Sequence, residues 1–70
     1  MLSGRVDRRL STGQWALVID PVRGVSARPF PAVTQRDELE HLAPGLPVSA
    51  RAGNVDKKRW VLLVHAVRPV

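Results

Sequence analysis

The chain has no cysteine and no tyrosine among its 70 residues, and only three aromatic side chains, Trp15, Phe30 and Trp60. Without cysteine, neither a disulfide framework nor a thiolate metal site can reinforce it. At this length folding buries only about 60% of the surface that the unfolded chain would expose, so stability has to come from economical packing. A single domain over 1–70 is expected, in a reducing compartment. No stretch approaches the roughly 18 apolar residues of a membrane span, and the opening MLSGRVDRRL lacks the continuous apolar region of a signal peptide. A soluble, cytoplasmic protein is the expectation.

Acidic side chains are also scarce. Six Asp and Glu face eleven Lys and Arg, nine of them arginine. Asp37, Glu38 and Glu40 fall in one short segment beside Arg36, which leaves ten basic against three acidic residues elsewhere. A field of that sign attracts phosphate, and the planar guanidinium fork matches phosphate oxygens. A surface charged for solubility is the plainer alternative.

Leu2, Gly4, Val6 and Leu10 alternate with Ser3, Arg5, Asp7 and Arg9, the period of two of a strand with one buried face. Arg8 breaks the pattern, as at a bulge. Ser11-Thr12-Gly13 is a three-residue hairpin connection, its glycine suited to a left-handed conformation. A second strand, WALVI, follows and is apolar on both faces, hence interior. Pro21 to Gly24 mark a turn, and a weaker third strand is expected from about Val25 to Phe30, with Pro29 and Pro31 blunting an edge.

Thr34-Gln35-Arg36-Asp37 reads as a helix start capped by Thr34, with Leu39 and Leu42 facing the core and Ala43-Pro44-Gly45 as the stop. A fourth strand, LPVSARA, runs over 46–52, followed by a polar loop from Gly53-Asn54 to Lys57-Lys58-Arg59. The last strand, WVLLVHAV, is apolar on both phases. Three strands, a short helix and two strands predict a mainly β fold: a small five-stranded, partly open barrel like the OB-fold, with an SH3-like barrel as the alternative. The expected core is Trp15, Leu17, Val48, Leu62 and Val64.

Two resemblances bear on function. LSTGQWALVID and ELEHLAPGLPVSARAG, within 4–53, resemble a segment near the C-terminal end of plasmid conjugative relaxases. The chain departs from that segment after Gly53, where NVDKKRWVLL replaces a Gly-rich, Asp-Trp ending. The resemblance implies an accessory, non-catalytic domain in plasmid or mobile-element biology. The opening Gly-x-Val and the turn before an aromatic strand are also similar to the cold-shock domain. That family's paired aromatic platform is missing here, so single-strand binding would rest mainly on charge.

The candidate nucleic-acid-binding residues are therefore basic. Lys57, Lys58 and Arg59 lie in the loop between strands four and five, one of the two loops with which OB-folds hold nucleic acid. Arg5 and Arg9 share the outward phase of strand one, Arg28 and Phe30 that of strand three, and Arg51 that of strand four, where it could extend the stripe or pair with Asp7. Trp60 could stack on a base, but its phase with Leu62 and Val64 makes it a core residue. Catalysis is not expected. His41 is a cation at a helix end, His65 a strand residue far from it in sequence, and neither a third metal ligand nor a Gly-rich phosphate loop is found. No cofactor is implied.

The function expected is DNA or RNA binding by phosphate contacts with low sequence specificity. The alternative is a protein-interaction module or regulatory subunit, using the apolar edge at Pro29-Phe30-Pro31 and the Val61, Leu63, His65, Val67 row of the last strand. A monomer or weak dimer is expected.

Overall fold

The computed structural model of the protein describes residues 1–35 and 42–70. Five strands, β1 (Leu2–Arg9), β2 (Trp15–Ile19), β3 (Phe30–Thr34), β4 (Pro47–Asp56) and β5 (Val61–Pro69), form a closed barrel in the order β1-β2-β3-β5-β4. The pairs are antiparallel except β3 with β5, which run parallel. A five-stranded barrel is thus as expected, but it is closed, not partly open. β1 closes it by pairing with β4 from Leu2↔Ala50 to Arg5↔Pro47.

The turns follow their residue chemistry. Ser11-Thr12-Gly13 joins β1 to β2: Gly13 N–H donates to Leu10 O at 2.9 Å, Leu10 N–H donates to Gln14 O at 2.7 Å, and Gly13 has φ of 89°. Ala43-Pro44-Gly45-Leu46 is a turn with Pro at the second position and Gly at the third, where φ is 84°. Leu46 N–H closes it on Ala43 O at 3.1 Å. It docks on β1 through Val6 N–H to Leu46 O and Gly45 N–H to Val6 O.

The inward phase of the strands supplies one core: Val6, Trp15, Leu17, Ile19, Ala32, Val48, Ala50, Val64 and Val67. Leu62 is half-buried against it with Leu2, Val22, Phe30, Leu42 and Leu46. Full burial of a Leu or Val side chain contributes about 1.5–3 kcal/mol, so this packing dominates a domain this small. Gly4 belongs to the same tight wall. It pairs with Ile19 on one side and Val48 on the other, and a Cβ there would collide with the Val18 carbonyl oxygen.

Several sequence expectations are corrected. The third strand is Phe30–Thr34, not 25–30, because Val22–Ser26 instead closes a tight turn: Val25 N–H donates to Val22 O at 2.9 Å, with Gly24 at φ 80°. Closure of the barrel leaves no free edge for the prolines to blunt. Pro31 sits opposite Val18, where β3 pairs with β2 alone, one residue before the pairing with β5 begins at Ala32. Thr34 is the wholly buried end of β3, and its hydroxyl accepts the Trp15 N–H. Among the described residues there is no helix, and the Arg36, Asp37, Glu38, Leu39, Glu40 and His41 part of the expected one lies outside them. β4 runs on through Gly53 and Asn54 to Asp56 by bulging between Ala52 and Val55, so the polar loop shrinks to 57–60.

Candidate functional site

The β4–β5 loop presents Lys57, Lys58, Arg59 and Trp60 together, all exposed. Its shape is set by Asp56, the last residue of β4. One carboxylate oxygen accepts the Lys58 backbone N–H at 3.0 Å and the other accepts Arg59 Nε at 2.8 Å. Such an Asp-centred turn holds a short loop without help from the core. The Arg59 side-chain hydrogen bond, aided by the Lys58 and Arg59 backbone amides against an opposing effect of burial, holds the Asp56 carboxyl below its ordinary value. Arg59 is consequently bent back on an anion, while Lys57 and Lys58 have no acidic partner among the described residues.

Trp60 contradicts the core assignment. It is 80% exposed and takes the left-handed conformation, φ 52°. That residue reverses the chain into β5, so the side chain never enters the Leu62–Val64 phase. A bulky residue with positive φ is a genuine outlier, since glycine or asparagine closes such a turn at lower cost.

The other candidates are dispersed by the register. β1 slips between Val6 and Arg8, leaving Asp7 as the additional residue, so Arg5 opposes Val18 but Arg8 opposes Ala16 and Arg9 opposes Trp15. Arg5 and Arg9 therefore do not share a face. The guanidinium of Arg9 lies over the Trp15 ring, 5.7 Å from its centroid, within cation–π range. Phe30 opposes Ile19 and packs on the core, so it is not an outward partner for Arg28. Arg28 lies exposed in the β2–β3 connection, its N–H donating to Ser26 Oγ at 3.3 Å. Arg51 is exposed opposite His65 and is not paired with Asp7. No single stripe unites these residues.

The bulge expected at Arg8 is present and puts that residue on the outward rows, which are apolar beyond β1. One runs Arg8, Ala16, Val33, Leu63, where Val33 is buried and Ala16 and Leu63 are half-buried, and the next runs Arg5, Val18, Pro31, all exposed, with Val61 one step before Leu62 on β5. The expected strip on β5 is different from this: Val61, Leu63 and His65 are half-buried, and Val67 turns into the core. Ala66, with φ 52°, forms a bulge opposite Ala50 that shifts the phase.

An open hollow of about 370 Å³ is lined by Val22, Arg23, Gly24, Val25, Ser26 and Ala27. All six come from one turn, and among the described residues no polar groups from elsewhere line it. Among the described residues no three His, Cys, Asp or Glu are grouped to hold a metal ion. No known protein family, curated protein or solved structure matches the chain.

Proposed function

We propose that this is an OB-like barrel that binds nucleic acid through phosphate contacts, without catalysis and with low sequence specificity. The observation that carries the reading is the β4–β5 loop, where two lysines without acidic partners among the described residues and an exposed tryptophan stand on a turn fixed by Asp56. The closed order, with β3 and β5 parallel, supports the OB-like reading over the SH3-like one. In OB-folds this loop is one of two that hold oligonucleotides. The excess of ten basic over three acidic residues outside the 36–41 segment supplies the long-range attraction. An accessory role in plasmid or mobile-element biology is consistent with the relaxase-like LSTGQWALVID stretch, whose Trp-Ala-Leu-Val-Ile forms β2.

A second reading is favoured by the outward rows of β2, β3 and β5. Val18 and Pro31 are exposed side by side, with Ala16, Val61 and Leu63 half-buried around them, aliphatic where a nucleic-acid platform would carry aromatics, and apolar patches can mark protein contacts. Labelled 12-mers of single-strand and duplex DNA and RNA, titrated with the protein at several salt concentrations, decide between the two. Salt-dependent binding supports the first. Absence of binding at low salt, together with self-association in light scattering, supports the second.

A further inference from the structure

We infer that the ligand of the β4–β5 loop is single-stranded, and that Trp60 is a platform on which one unpaired base stacks while Lys57 and Lys58 hold its flanking phosphates. This rests on the nucleic-acid reading above and goes further, because it names the form of the nucleic acid and a contact to a base. Two independent observations support it. Nothing in the described fold needs a tryptophan at position 60: the ring is 80% exposed and the core is complete without it. The position also disfavours it, since a residue with φ 52° is served at lower cost by glycine or asparagine. A large flat ring kept in solvent at a strained position is suited to a ligand that the free protein lacks.

The surroundings select the ligand's chemistry. The two residues before Arg59 are cations with no acidic partner among the described residues, and Arg59 itself is engaged by Asp56 at 2.8 Å. A π-face in the same four-residue loop as two ammonium groups complements a base with phosphates on either side. Bases in a duplex are already stacked on one another and cannot lie on a ring at a loop tip. Unpaired bases can, and stacking tolerates any sequence because every base has a π-face.

The test uses the whole chain, a 12-nucleotide thymidine oligomer, the same oligomer with abasic sites in place of all bases, and a 12-base-pair duplex, at low salt. Trp15 is buried and Trp60 is not, so emission of the exposed indole reports the loop. The thymidine oligomer should quench that emission, and the abasic oligomer should bind roughly 5- to 150-fold more weakly, the range expected for loss of one stacked base. Trp60→Ala should lower affinity for the thymidine oligomer in the same range and leave affinity for the abasic one unchanged, whereas Trp60→Phe should restore part of the loss. Equal affinity for the thymidine and abasic oligomers, with Trp60→Ala neutral, would overturn the stacking inference while leaving phosphate binding in place. Tighter binding of the duplex than of the single strand would also overturn it. Failure of all three to bind would remove the nucleic-acid reading itself.

Discussion

The backbone N–H of Trp15 donates to the hydroxyl of Thr34 at 2.9 Å, tying the first residue of β2 to the last of β3. The same end is locked from the other side, since Gln14 Nε2 donates to the Thr34 carbonyl at 2.8 Å and Thr12 Oγ1 donates to Gln14 Oε1 at 2.9 Å. One threonine thereby satisfies a buried backbone donor that the strand ladder leaves over. Thr34→Val keeps the shape and removes the acceptor. It should cost about 1–3 kcal/mol, the usual penalty for a buried group left without its hydrogen bond. Thr34→Ser, which retains the oxygen, should cost less. Urea denaturation compares the three proteins, and a valine variant as stable as wild type would show that the Trp15 amide does not depend on this hydroxyl.

Gly4 is the second sensitive point, for a steric reason. A methyl group there would meet the Val18 carbonyl oxygen and come within 3.0 Å of Ile19 Cα, and backbone atoms on a paired strand cannot rotate away. Gly4→Ala should therefore destabilise more than the roughly 1–3 kcal/mol typical of overpacking at yielding sites. Gly13→Ala, whose Cβ would meet nothing within 4 Å, should act only through its positive φ and cost less. Thermal melts rank the pair. The reverse order would mean that β1 and β2 are not held at the spacing described.

These two sites show what the sequence could and could not reveal. Alternation places Val6 and Val48 inside, because the two phases of those strands differ in polarity, whereas Leu17 and Val64 lie on strands apolar on both phases and are placed inside by residue size and phase with Trp15 and Leu62. The Val6/Arg8 bulge is legible because a charged residue falls on the inward phase. The Ala66 bulge is not, since Val-His-Ala-Val carries no polarity contrast to mark a slip. Gly53-Asn54 has the composition of a loop, yet the pairing of β4 with β5 overrides it. There a Cβ on Gly53 would approach the Leu63 carbonyl oxygen at 2.8 Å, so the glycine marks a close backbone approach within the sheet. Of the candidate site, the Lys57-Lys58-Arg59 run is visible as charge. The exposure of Trp60 is hidden, because a tryptophan heading an apolar run looks the same whether its φ is negative or positive.

The Asp56 and Arg59 pair gives a prediction in pH. The Asp56 carboxyl is held below its ordinary value of 3.8, mainly by the hydrogen bond from Arg59. A lowered folded-state value means that the unfolded chain binds the proton first. The pair's contribution to loop order is therefore present above pH 3.8 and is lost as pH falls through the lowered value. Arg59→Ala should move the Asp56 titration midpoint up towards the ordinary value, read from its side-chain carboxyl carbon by NMR. A midpoint indifferent to that substitution would show that the two side chains are not engaged in solution.

The same pair sorts the cations of the loop by their worth to a phosphate ligand. Because Arg59 already faces Asp56 at 2.8 Å, Lys57 and Lys58 should hold the phosphates. Replacing both lysines by alanine should weaken binding of a single-stranded oligomer and lower the slope of log affinity against log salt by roughly 0.7 for each phosphate left without its lysine. Arg59→Ala should change the slope less than the double substitution. Asp56→Asn should raise affinity, since it removes a negative charge and releases the Arg59 guanidinium while keeping an acceptor for the Lys58 amide. All four proteins are compared across the same salt series by fluorescence anisotropy. If Arg59→Ala alone removed the slope while the lysine pair left it intact, the arginine would have to leave Asp56 on binding, and the assignment of the phosphates to Lys57 and Lys58 would be wrong.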